Sequence, residues 1–140
     1  MLSSRQAPRQ LACAMQVIST LKVHSFVEVG SYSGWTGAYL AALIHHIGGD
    51  TPANTASLDV GDYRQPCCGE VMKSIGHRFE LISQDRQASI HQSGMPPMVD
   101  LCFIDGNHQY SAVHLDVEAW KSRCRVWPLH LVHSCLWRTR

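Results

Sequence analysis

Residues 25–36 read Ser25-Phe26-Val27-Glu28-Val29-Gly30-Ser31-Tyr32-Ser33-Gly34-Trp35-Thr36. A short apolar run carries one acid, two glycines follow four residues apart, and a helical pattern begins. This order predicts a buried strand, a sharp turn and a helix whose N-terminus faces whatever lies beyond the strand. An α/β protein makes the floor of a nucleotide-like site in this way.

Outward from this stretch the pattern repeats. Residues 10–21 place Leu11, Ala14, Met15, Val17, Ile18 and Leu21 at helical spacing. Strands are expected at 26–29, 56–60, 79–82 and 99–104. Helices are expected at 36–47, 70–75, 86–92 and 112–120, with 61–69 a loop. Alternating strands and helices favour a parallel sheet covered on both faces. The fold expected is α/β: a Rossmann-like three-layer sandwich, a mostly parallel sheet of four to five strands in order 3-2-1-4(-5), and a helix ahead of it. One domain is expected over 1–125, with 1–24 its N-terminal helical segment. An irregular basic tail, 126–140, would follow. Within that tail a fifth strand at 129–132 is weakened by Pro128.

Composition narrows the class. The chain has 140 residues and a formal net charge of +1, which gives no bulk electrostatic reason to expect a nucleic-acid or membrane partner. No apolar run is long enough for a bilayer span. The first acid is Glu28, and an acid-poor start with Arg5 and Arg9 shares its composition with organelle transit segments; it has no long apolar core of a secretory signal. Six cysteines form no C-x-x-C pair, so free thiols in a reducing compartment, the cytoplasm, are expected rather than zinc or disulfides.

Polar residues cluster where the strands end: Glu28 and Gly30, then Asp59, then Ser83 and Asp85, then Asp105, Asn107 and His108. Each has an ordinary alternative. The glycines could serve only the turn and helix packing, Asp59 could be a helix N-cap or a turn residue, Asp85 could cap the helix after it, and His108 could be a surface histidine. Glu28 could cap the turn after it, yet an acid closing a buried strand is costly without partners. Tyr110 and Trp120 are expected to pack. An acid closing the second strand suits vicinal ribose hydroxyls, because a carboxylate can accept two hydrogen bonds. No glycine stands two residues after Gly30, which disfavours a dinucleotide, and no P-loop motif occurs.

The segment Val27 to Thr36 resembles the first motif of class I S-adenosylmethionine-dependent methyltransferases. Phe103-Ile104-Asp105-Gly106-Asn107-His108-Gln109-Tyr110, followed by Val113, Asp116 and Trp120, resembles the fourth-strand motif of the small-molecule O-methyltransferase-like branch. The resemblance implies S-adenosylmethionine as cofactor and an oxygen of a small molecule as methyl acceptor. It implies that Glu28 holds the methionine end, with Gly30, Ser31, Tyr32, Gly34 and Thr36 around it. Asp59 would bind the ribose, and Ser83 and Asp85 would lie beside adenine. Asp105 would sit near the reacting methyl group and could ligate a divalent cation such as Mg. His108 falls where catechol-type relatives carry a catalytic lysine and could act as a base near neutral pH.

After Trp120 the family pattern is not recognisable, as a truncated or altered reading frame would leave it. Two alternatives follow: a non-catalytic S-adenosylmethionine-binding fragment, and another nucleotide-dependent Rossmann-like enzyme. A homo-oligomer through an exposed sheet edge is a further expectation.

Overall fold

The alternation in the sequence becomes one parallel sheet. The structure is a computed structural model that describes residues 8–49, 53–82, 97–107, 109–125 and 130–132. Its strands are β1 (Ser25–Val29), β2 (Asn54–Asp59), β3 (Arg78–Leu81), β4 (Leu101–Ile104) and β5 (His130–Val132). They pair in the order β3-β2-β1-β4-β5, every pair parallel, as the sequence predicts for a Rossmann-like sheet. The order reverses between β1 and β4, which leaves a crevice at their carboxyl ends.

The helices are α1 (Pro8–Leu21), α2 (Trp35–Gly48), α3 (Pro66–Ser74) and α4 (Tyr110–Trp120), the last running into a 3-10 turn, Lys121–Arg123. Strand alternation sorts the core into two layers. Phe26, Leu101 and Phe103 point to one face and pack with Ala14 and Ile18 of α1 and Leu40 and Ile44 of α2. Val27, Val29, Leu58, Cys102 and Ile104 point to the other and pack with Trp120 and Val117 of α4. Each fully buried aliphatic side chain here contributes about 1.5–3 kcal/mol. On the first face α3 joins α2 through Cys68 and Met72 against Trp35 and Ala38.

The structure corrects the sequence-based boundaries in several places. Helix α3 begins at Pro66, not at 70, because proline at the first helical position loses no hydrogen bond and already has helical φ. Cys67 and Cys68 are therefore helical. Strand β4 begins at Leu101, not 99: the Asp100 carboxylate turns away to accept the His24 and Ser25 amides at 3.0 and 2.9 Å. Val99 makes only an isolated bridge with Cys124. Leu21 is 40% exposed, and Tyr110 is largely exposed and stacks on His114 one turn along α4 instead of packing inward; Trp120 is buried as expected. His130–Val132, inside the stretch read as a tail, forms β5 beside β4. Strand β4 is therefore an interior strand, and among the described residues the sheet ends at β5. The expected helix at 86–92 lies outside the described residues.

Candidate functional site

Strand β1 ends where its two neighbours continue. The Gly30 amide donates to the Leu58 carbonyl at 2.8 Å, and the Asp105 amide donates to the Val29 carbonyl at 2.8 Å. The backbone then turns left-handed at Gly30, with φ of 89°. A Cβ at Gly30 would come within 2.4 Å of the Gly106 Cα. The loops after β1 and β4 thus touch through bare backbone, and only glycine allows it.

The next two residues hang from Asp59. Its Oδ2 accepts the amides of Ser31 and Tyr32 at 2.9 and 2.7 Å, and its Oδ1 accepts the Val60 amide at 2.7 Å. Tyr32 takes φ of 45°, uncommon outside glycine, and Asp59 holds it there. Gly34 closes the turn with its amide on the Ser31 carbonyl at 2.8 Å and serves as N-cap of α2 without a side-chain cap. The loop before α3 braces the helix start, since the Trp35 indole donates to Gln65 at 2.9 Å. The exposed rings of Tyr32 and Tyr63 stack at 6.2 Å beside this turn.

Under the first turn of α2 lies Glu28, only 1% exposed. Its Oε2 is 2.6 Å from the Ser57 hydroxyl, its register partner on β2. Its Oε1 is buried with no hydrogen-bond partner, as is the Ser31 hydroxyl. Burial pushes the Glu28 carboxyl up to about 8; Asp105 and Asp59 add to this, while Ser57 and the Gly37 amide oppose it. At neutral pH Glu28 is therefore mostly a neutral acid. A Cβ at Gly37 would fall 2.3 Å from Glu28 Oε2 and 2.4 Å from Ser57 Oγ, so glycine at this helical position makes room for the pair. The Ser57 hydroxyl also lies 2.8 Å from His77 Nε2, and His77 Nδ1 lies 2.9 Å from Thr55 Oγ1.

This arrangement of acid, glycine turn and helix start has a known counterpart. Residues 27–135 match the model of the methyltransferase domain family. The chain belongs to this family. None of the curated proteins matches the chain. Among solved structures, the O-methyltransferase from Bacillus cereus in complex with SAH superposes at a TM-score of 0.65 and 14% identity, covering 89% of this chain and 55% of its own. The SAH-bound Podospora anserina methyltransferase PaMTH1 superposes at 0.55 and 23% identity, covering 87% and 48%. The protein described as cmcI with Mg-SAM superposes at 0.63 and 15% identity, covering 86% and 49%. This chain thus spans about half the length of the structures it matches.

Within the methyltransferase fold, Glu28, Gly30, Ser31, Tyr32, Gly34, Thr36, Asp59 and Asp105 gather at the carboxyl edge of β1, β2 and β4, as their placement in the sequence predicts. Ser83, Asp85 and His108 lie outside the described residues. Asp59 does the local work of a turn residue, the ordinary alternative the sequence offers for it, by accepting the Ser31, Tyr32 and Val60 amides. Among the described residues, no group of three or more His, Cys, Asp or Glu side chains could hold a metal ion. Gly37, Ser57, His77 and Thr55 were not singled out in the sequence. Their signals were there: a glycine inside a helical pattern, and two polar residues alternating along a buried strand.

Proposed function

We propose that this chain binds S-adenosylmethionine at the carboxyl edge of β1, β2 and β4 and transfers its methyl group to an oxygen of a small molecule. The observation that carries the reading is the buried, unpartnered Glu28 Oε1 beneath an uncapped helix start. A buried polar atom left unsatisfied costs about 1–3 kcal/mol, and a cationic ligand group would meet that demand. The methyltransferase neighbours described with SAH or SAM support the same choice of ligand. When bound, this cofactor supplies an electrophilic methyl group on a positively charged sulfur.

The chain's own residues then divide the work. Glu28 takes the methionine end. Gly30, Ser31, Tyr32, Gly34 and Thr36 shape the turn around it. Asp59 already accepts three amides on about four lone-pair positions, so it can take one ribose hydroxyl rather than two. Ser83 and Asp85 are assigned to the adenine end and His108 to the base that frees the acceptor oxygen. Asp105 stands beside the reaction, its backbone held to β1 by the hydrogen bond its amide donates to the Val29 carbonyl. As a cation ligand Asp105 is one carboxylate without a described ligand set, and no step here runs through a metal. A reducing, cytoplasmic setting is part of the reading, supported by the free thiols of Cys13, Cys67, Cys68, Cys102 and Cys124. Pairing of β5 edges between two copies belongs to it as well. No described helix is long and apolar enough to cross a membrane.

Calorimetric titration of the folded chain with S-adenosylmethionine, and separately with NAD, tests the proposal. Saturable heat with the first alone is expected. A folded sample that ignores S-adenosylmethionine overturns the reading. Transfer of radiolabelled methyl to a panel of small hydroxylated aromatics then tests the acceptor class, and His108→Ala should lower turnover with cofactor affinity kept.

A further inference from the structure

Four buried side chains form one continuous line beneath α2: Glu28, Ser57, His77 and Thr55. The successive distances are 2.6, 2.8 and 2.9 Å. None is more than 5% exposed. Such a line in a sheet interior is stable only when every donor meets an acceptor. The rule leaves few arrangements. Each hydroxyl has one hydrogen to donate, and a neutral imidazole has one N–H and one bare nitrogen. His77 is neutral: burial, with Arg78 and Arg64 adding to it, holds it down at about 4.

With Glu28 protonated on Oε2, its O–H donates to Ser57, Ser57 donates to His77 Nε2, and the His77 Nδ1–H donates to Thr55. With Glu28 ionised, every bond must reverse. Ser57 then donates to the carboxylate, His77 Nε2–H donates to Ser57, and Thr55 donates to Nδ1. Placing the acid proton on Oε1 instead would leave it without an acceptor.

We infer that Ser57 and His77 are positioning residues of the cofactor site, which form one hydrogen-bonded line with the buried Glu28 carboxyl in the free protein and reverse their hydrogen bonds when a cationic ligand group at Oε1 ionises it. The inference rests on the reading of this edge as the S-adenosylmethionine site. The balance is simple. Three hydrogens stay between the same pairs of atoms but change owner, and one proton leaves from Thr55 Oγ1 to water. The cation is the ammonium-bearing methionine end of the ligand.

The surroundings agree. The groups acting on Glu28 are the carboxylates of Asp59 and Asp105, the Ser57 hydroxyl and the Gly37 amide, with the Cys68 thiol facing it from α3. His77 feels Arg78 and Arg64. Among the described residues no basic side chain acts on Glu28, so an arriving cation would supply a countercharge.

The experiment has a ligand-free arm and a ligand arm on the full chain. The first follows the ring nitrogens of His77 by 15N NMR as pH rises through about 8, the Glu28 value. The Nδ1–H form should give way to Nε2–H, and Ser57→Ala should abolish the change. The second titrates S-adenosylmethionine at neutral pH in buffers of different ionisation enthalpy. The native chain should release nearly one proton more per ligand than Glu28→Gln does, with the same His77 switch. Equal proton counts in the two, an unmoved His77, or a switch that survives Ser57→Ala would each overturn the inference. A pH switch in a chain that does not bind S-adenosylmethionine would instead overturn the ligand reading and leave the reversing hydrogen-bond line established.

Discussion

Gly30 and Gly106 meet backbone to backbone: a Cβ on Gly30 would lie 2.4 Å from the Gly106 Cα and 2.6 Å from the Asp105 carbonyl oxygen. This contact joins the loops after β1 and β4 and sets how close Asp105 stands to the turn that follows Glu28. The switch point of the sheet is therefore a fitted joint with no side chain in it.

Gly30→Ala introduces both the clash and a side chain at φ of 89°. Neither neighbour can yield, because both contacts are backbone. A loss of about 2–4 kcal/mol in urea unfolding is expected, together with weakened cofactor binding by calorimetry. An alanine variant as stable as the native chain would show that the loops do not meet.

Asp59→Asn keeps the size of the side chain but replaces one acceptor oxygen by a donor. One orientation sets an NH2 against the Ser31 and Tyr32 amides, the other against the Val60 amide. The expected cost is about 1–3 kcal/mol of stability, measured by chemical unfolding. Cofactor affinity should fall as well, since Tyr32 loses what holds its left-handed turn.

Gly37→Ala should destabilise the protein although alanine is the better helix former by about 1 kcal/mol. The new methyl group would press on the Glu28 and Ser57 side-chain oxygens at 2.3 and 2.4 Å. The expected result is a lower melting temperature and a lost link between Glu28 and Ser57. A rise in melting temperature, the outcome of helix propensity alone, would contradict the packing described.

The pH dependence of stability follows from two buried groups with opposite shifts. Glu28 is raised from 4.5 to about 8 by burial, so its stabilisation is full below 4.5 and is lost as pH rises towards 8. His77 is lowered from 6.5 to about 4, again by burial, so its stabilisation is full above 6.5 and is lost as pH falls towards 4. Between 4.5 and 6.5 the two slopes oppose each other. Above 6.5 only Glu28 acts, and the melting temperature of the ligand-free chain should fall by roughly 3–6 °C per pH unit up to about 8. Glu28→Gln should flatten that limb and leave the acid limb unchanged.

Much of this architecture was legible in the residues. The strands revealed themselves as short apolar runs, and Gly48 and Gly49 marked the end of α2. The grouping of Glu28, Gly30, Asp59 and Asp105 followed from one rule, that strands of a parallel sheet share a carboxyl edge. Other features escaped for definite reasons. The start of α3 was misplaced because Pro66 serves a turn and a first helical residue equally well. Tyr110 was expected to pack, but an aromatic ring in the first turn of α4 can face solvent over His114. Pro128 argued against a strand, yet β5 begins two residues beyond it.

By itself the sequence determined the alternation of strands and helices, the glycine turn, and the acids that close three strands. These are local properties, written in hydrophobic period and in residues that tolerate particular backbone angles. Only the tertiary structure decided what the acids touch. It assigned Asp59 to the Ser31 and Tyr32 amides across the sheet, and it joined Glu28 to Ser57, His77 and Thr55. Those partners are separated by twenty residues or more along the chain. Pairing them depends on strand register and on the packing of α2 over β1, and neither is carried by any short stretch of sequence.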